Sequence, residues 1–163
     1  MTSSRLPRSV VPSRYDIRIE PDLAASTFVG RETVEVTVSE PTTEIVLNAA
    51  DLSIRAATAE NDTGQRLTGA VRLDETTERA LVSFPEPLQP GPWRLSLEFS
   101  GVLNDKLHGF YRSTFTGEDG TQTALAVTQF EATDARRAFP CWDEPSFKAA
   151  FQLTLVVDEG LVS

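Results

Sequence analysis

The feature that most constrains this chain is a side-chain period of two that recurs along most of its length. In YDIRIE, Tyr15, Ile17 and Ile19 alternate with Asp16, Arg18 and Glu20. RETVEVTV places Val34, Val36 and Val38 on one parity, TEIVLNA places Ile45 and Leu47, and DLSIRAA places Leu52, Ile54 and Ala56. ALVSF repeats the pattern with Ala80, Val82 and Phe84, and PWRLSLEFSG sets Trp93, Leu95, Leu97 and Phe99 against Arg94, Ser96 and Glu98. GFYRSTF and TALAVTQF come next, and FQLTLVV closes the series with Phe151, Leu153, Leu155 and Val157. Successive strand side chains point to opposite faces, so each run describes a strand buried on one side.

Turn chemistry separates the runs. Asn61-Asp62-Thr63-Gly64 and Gly117-Glu118-Asp119-Gly120 are the clearest turns, with Asp74-Glu75-Thr76-Thr77 weaker. Pro85, Pro87, Pro90 and Pro92 crowd one connection, as expected of an edge or an exposed loop. No heptad or internal repeat interrupts the pattern. The spacing therefore predicts an all-β domain, an antiparallel two-sheet sandwich or saddle. Thr133 or Asp134 can cap one short helical turn near residues 134–138, which Pro140 ends. At 163 residues the chain is expected to hold one domain, residues 14–163, preceded by an extended N-terminal arm, residues 1–13, rich in Ser, Pro and Arg.

Charge narrows the function. Asp and Glu number 24 against 15 Lys and Arg, a net charge of −9. Phosphate backbones and anionic membrane surfaces are repelled by such a chain, so neither nucleic acid nor membrane is an expected partner. A cationic ligand such as a free peptide amine is attracted. The single cysteine, Cys141, excludes an internal disulfide, and the first residues contain no apolar run of signal-peptide or membrane-helix length. A cytoplasmic location is the resulting expectation.

The residue inventory excludes most catalytic chemistry from this stretch of sequence. A zinc site needs clustered His, Cys or carboxylate ligands, whereas His108 and Cys141 are the sole histidine and cysteine and lie far apart in sequence. There is no His-Glu-x-x-His, no Gly-x-Ser-x-Gly elbow and no phosphate-cradling glycine loop. His108 reads as a surface-loop residue beside Asn104, Asp105 and Lys106, and Cys141 as a small buried hydrophobe between Pro140 and Trp142.

One pair stands apart. If TALAVTQFE is a strand, Gln129 and Glu131 share a face at its polar end. An amide beside a carboxylate can bind a group offering several N–H donors, such as a primary ammonium. Equally, Glu131 can pair with Arg136 or Arg137 while Gln129 caps the strand end. Asp134, Arg136, Arg137, Asp143, Glu144 and Lys148 are balanced in sign and read as a surface ion-pair cluster bracing a loop, with Phe139 and Trp142 as packing residues.

The run TQFEATDARRAFPCWDEPSFKAAF resembles a hallmark segment of the gluzincin zinc aminopeptidases, in particular the puromycin-sensitive and aminopeptidase N group and the archaeal tricorn-interacting aminopeptidases. VVPSRYDIRIEPDL, TFVGRETVEVTV and LHGFYRSTF resemble the same family, so the likeness runs from about residue 6 to the C-terminus. It implies the N-terminal β domain of such an enzyme, lying against a thermolysin-like catalytic domain. It further implies that Glu131 binds the α-ammonium of a peptide substrate and that Gln129 lines the pocket for the first side chain. The family reaction is zinc-assisted hydrolysis of the N-terminal peptide bond, with zinc polarising the carbonyl and activating water. The family's Gly-x-Met-Glu-Asn segment and zinc-ligand set are absent from these 163 residues, so this chain alone is expected to bind no zinc and to be inactive. The sequence stops at VVDEGLVS, where family members continue with further β segments, so the domain is expected to be truncated at that end. An open sheet edge inviting oligomerisation is expected there. The alternative is a stand-alone β-sandwich module for protein interaction.

Overall fold

In the computed structural model of the chain, which describes residues 5–161, the period-two segments form strands of three sheets. The largest contains β1 (Val10–Asp22), β2 (Thr27–Val38), β4 (Leu52–Asn61), β5 (Arg66–Thr68), β8 (Gly91–Val102) and β11 (Ala150–Leu155). Their order is β11-β1-β2-β8-β4-β5. A second sheet joins β3 (Thr42–Asn48), β7 (Arg79–Leu88) and β6 (Ala70–Asp74), in the order β3-β7-β6. The third is a hairpin of β9 (Gly109–Thr116) and β10 (Gln122–Gln129). A 3-10 turn at Ala135–Arg137 comes after it, within the helical stretch expected at residues 134–138. The fold is the β-sandwich class that the alternation predicts.

The inward parity of each strand builds the core. Tyr15, Ile17 and Ile19 of β1, Val34, Val36 and Val38 of β2 and Trp93, Leu95, Leu97 and Phe99 of β8 are all buried. They join Ile45 and Leu47 of β3 and Ala80, Val82 and Phe84 of β7 in one apolar cluster. Each of the larger side chains, such as Val, Leu, Ile or Phe, stabilises the fold by about 1.5–3 kcal/mol when taken out of water, and this burial holds the two larger sheets together.

The structure departs from the pattern at particular places. In β4 the register against β8 shifts between Ile54 and Ala56. The extra residue reverses the parity, so Ala57 and Ala59 are buried while Ala56 is exposed. The short strands β5 and β6, in QRLTGAVRLD, carry too few alternations to be seen in the sequence. Among the described residues every strand pairing is antiparallel except one: β11 runs parallel to β1, with Arg14 opposite Ala150 and Ile19 opposite Leu155. Pro85 and Pro87 fall between the Glu44–Ser83 and Thr42–Leu88 pairs, where the β3–β7 register breaks and no ladder N–H is needed. Of the expected arm, residues 1–4 lie outside the described residues, Leu6 is buried in the core, and Val10–Ser13 belong to β1.

Candidate functional site

The segment after β10 folds back across the open end of β3. Asn48 and Cys141 exchange backbone hydrogen bonds at 2.7 and 3.0 Å, and the Ala50 N–H donates to the Arg136 carbonyl at 3.0 Å. Asn48 is one of the residues that sequence reasoning missed, with Asp51 and Glu78. Only 5 % exposed, Asn48 accepts a bond from the Asp143 N–H through Oδ1 at 3.2 Å and donates through Nδ2 to the Glu78 carbonyl at 3.4 Å. A polar residue at the buried end of TEIVLNA is its only sequence signal.

Gln129 is the last residue of β10, opposite Gly109, and its side chain is exposed. Glu131 is also exposed but lies beyond the strand, in the turn of residues 131–134, and its peptide bond to Ala132 is cis. The shared strand face expected of the pair therefore does not extend to Glu131. What brings the two together is local: the Glu131 N–H donates to Gln129 Oε1 at 3.5 Å. Among the described residues the Glu131 carboxylate has no hydrogen bond or ion pair. Pairing with Arg136 or Arg137, the alternative left open by the sequence, does not occur.

Both arginines are occupied elsewhere. Arg136 bonds Asp143 Oδ2 through Nε at 2.9 Å and Glu78 Oε2 through Nη1 at 3.1 Å. Arg137 uses Nε on Asp134 at 2.9 Å, Nη2 on Glu78 at 2.6 Å and Nη1 on Asp51. The Arg136 side chain is only 11 % exposed, so this is a half-buried network rather than the surface cluster expected. Four carboxylates, Asp51, Glu78, Asp134 and Asp143, meet these two guanidinium groups, and Arg5 and Arg79 line a cleft with Arg136 and Thr133. Of the other charges read into that cluster, Glu144 accepts the Leu6 N–H at 2.6 Å and Lys148 is exposed.

His108 is half-buried rather than on the surface, with Nδ1 3.6 Å from Asp134 Oδ1 and without a hydrogen bond. Cys141 is buried, and burial pushes its thiol well up, so it stays protonated at neutral pH and is no nucleophile. Trp142 is buried and its backbone N–H donates to the Tyr15 hydroxyl at 3.1 Å. Phe130, between Gln129 and Glu131, packs edge-on to Phe139 at 6.0 Å, and Phe139 packs likewise on Tyr15 at 6.3 Å. An aromatic chain thus joins the turn to the main sheet. Beneath it lies an open apolar trough of about 710 Å³, lined by Ile17, Ile19, Phe130, Phe139, Phe151 and Leu153 among others.

Among the described residues no group of three or more His, Cys, Asp or Glu can hold a metal ion, and no helix is long and apolar enough to cross a membrane. Zinc does not fit this donor set: the one histidine faces a single carboxylate, and the one thiol is buried and held protonated by burial. An exposed carboxylate beside an amide can attract a cation by charge and hydrogen bonding.

The fold is thus a β-sandwich that carries an exposed carboxylate, Glu131, in the turn after β10. The sequence matches the peptidase M1 N-terminal domain family over residues 11–163, and the chain belongs to that family. It is 48% identical over 161 residues to aminopeptidase M1-D of Oryza sativa subsp. japonica, covering 98% of this chain and 18% of that protein. Against endoplasmic reticulum aminopeptidase 1 of Homo sapiens the identity is 41% over 93% of the chain and 16% of the relative. Against aminopeptidase N of Acetobacter pasteurianus it is 36% over 99% of the chain and 44% of the relative. The chain thus spans less than a fifth of the length of these plant and human relatives.

Proposed function

We propose that residues 14–163 form the substrate-anchoring N-terminal domain of a cytoplasmic zinc aminopeptidase. In this reading Glu131 binds the α-ammonium of a peptide and Gln129 borders the first side chain. The observation that carries it is the Glu131 carboxylate: exposed and, among the described residues, without a partner, while Arg136 and Arg137 are spent on other acids. Zinc, which polarises the scissile carbonyl in this class of reaction, would be held by a catalytic domain outside these residues. The work of this chain is to fix the peptide's N-terminus, so that cleavage counts from that end.

The test is steady-state kinetics on aminoacyl substrates, in the protein that carries this domain together with its catalytic domain. A charge-assisted hydrogen bond contributes about 1.5–3 kcal/mol, so Glu131→Gln should lower kcat/KM about 10- to 100-fold. Unchanged kinetics would remove the anchoring role. The 163-residue chain incubated with the same substrates and zinc should release no amino acid, and robust release would overturn the division of labour. A second reading, a stand-alone module for protein interaction, draws on the uncovered β11 edge and the apolar trough beside it. Wild-type behaviour of the Glu131 variant would favour it.

A further inference from the structure

The role of Glu131 as ammonium anchor, on which this proposal rests, requires that the residue be held in place. Glu131, Ala132 and Thr133 are all exposed, so core packing does not fix them. A recognition group is only as selective as its backbone is placed, and a displacement of about 1 Å can cost on the order of 100-fold in rate. The turn must therefore be held from its two ends.

The first end is the strand: Gln129 pairs with Gly109, and Phe130 rests on Phe139. The second end is Asp134. Its N–H donates to the Phe130 carbonyl at 2.9 Å, which closes the turn around Glu131. Its carboxylate accepts from Arg137 Nε at 2.9 Å, and the Arg137 N–H donates to its carbonyl at 3.1 Å. The remaining guanidinium nitrogens of Arg137 reach Asp51, between β3 and β4, and Glu78, between β6 and β7. One planar fork thus ties the Glu131 turn to two connections of the sandwich. A lysine, with one point charge, cannot reproduce that.

The contact also depends on Gly109. A Cβ there would stand 2.7 Å from Arg137 Cβ, and its φ of +69° is the left-handed region that glycine tolerates. Arg136, the adjacent residue, serves a different purpose: its side chain bonds Asp143 and Glu78 and never reaches Asp134.

We propose that Arg137, acting through Asp134, is the positioning residue that places Glu131 and so sets selectivity for an N-terminal ammonium. It touches no substrate itself. Two measurements test this. The first is 15N relaxation of the 163-residue chain as wild type, Arg137→Gln, Asp134→Asn and Arg136→Lys. The second uses the protein carrying both domains and compares inhibition by L-phenylalaninamide with inhibition by its des-amino analogue, hydrocinnamamide. Arg137→Gln and Asp134→Asn should loosen residues 131–133 while the strands stay rigid. They should also cut the preference for the amine about 10- to 100-fold, with Arg137→Lys intermediate and Arg136→Lys near wild type.

Glu131→Gln separates the two ideas. If that variant keeps the amine preference, the anchoring reading fails. If it loses the preference while Arg137→Gln keeps both preference and an ordered turn, the anchor stands and the positioning inference is overturned. An Arg137→Gln variant that weakens both inhibitors equally as its melting temperature falls has a structural role only, which also overturns the inference.

Discussion

Glu32 sits with both carboxyl oxygens buried and unbonded among the described residues, on the inner face of β2 between Ile17 and Leu97. Loss of solvation raises its pKa well above the ordinary 4.5, because the ionised form has nothing to replace water. The native chain holds the proton more tightly than the unfolded chain. Stability from this group is therefore full below the unfolded value of 4.5 and is lost as pH rises toward the folded value. Urea unfolding of Glu32→Gln against wild type should show little difference at about pH 4 and a growing advantage for the variant above it, by at most about 1.4 kcal/mol per pH unit. A difference independent of pH would refute the neutral buried carboxyl. The alternation of RETVEVTV already places residue 32 on the parity of Val34, Val36 and Val38, so the inward carboxyl was legible. Its lack of a partner was not, because that depends on what the neighbouring strands bring to it. The same holds at the site. The polar end of TALAVTQFE was legible, but not the turn that takes Glu131 off the strand, nor the acids that occupy the arginines, since Asp51 and Glu78 lie 86 and 59 residues from Arg137.

Elements meet through reciprocal glycine–phenylalanine pairs across β2 and β8. Gly30 lies opposite Phe99, and Phe28 opposite Gly101. Each ring covers the facing glycine: a Cβ on Gly30 would fall 2.4 Å from the Phe99 ring, and one on Gly101 2.4 Å from the Phe28 ring. Both rings are 1 % exposed. Gly30→Ala should therefore destabilise the chain by about 1–3 kcal/mol through overpacking, read as a lowered melting temperature. A variant that melts like wild type would mean that Phe99 can re-place its ring. Strand identity was legible wherever at least three apolar residues share a parity, as in β1, β2, β7 and β8. It was obscured where a bulge reverses the parity, as at Ala57 in β4. It was also obscured where the strand is as short as β5. The site turn belongs with these exceptions, because β10 stops at Gln129 and a backbone bond from Asp134 to Phe130 shapes the chain beyond it.

On the scale of the molecule, one side of the main sheet is left uncovered. β11 pairs with β1 alone, all six of its residues are exposed, and AFQLTL carries no charge to discourage another strand. Its partner β1 lies far earlier in the chain, and a parallel pairing of that separation leaves no periodic trace, so only the strand itself was legible. Phe151 and Leu153 are 60 % and 64 % exposed and border the apolar trough. Free main-chain donors and acceptors beside apolar side chains form a template for strand addition. The 163-residue chain should consequently self-associate at high concentration, against the repulsion of its net charge of −9 and more strongly as salt screens that charge. Leu153→Lys is the informative variant, since Phe151 also stacks on Tyr15 at 4.7 Å and would perturb the core. A lysine at position 153 places a charge on the open edge and removes exposed apolar surface without vacating any buried volume. It should leave the melting temperature within about a degree, in keeping with the small effects of surface substitutions, and shift sedimentation toward the monomer. Equal association of both forms across a concentration series would show that the β11 edge is not the contact.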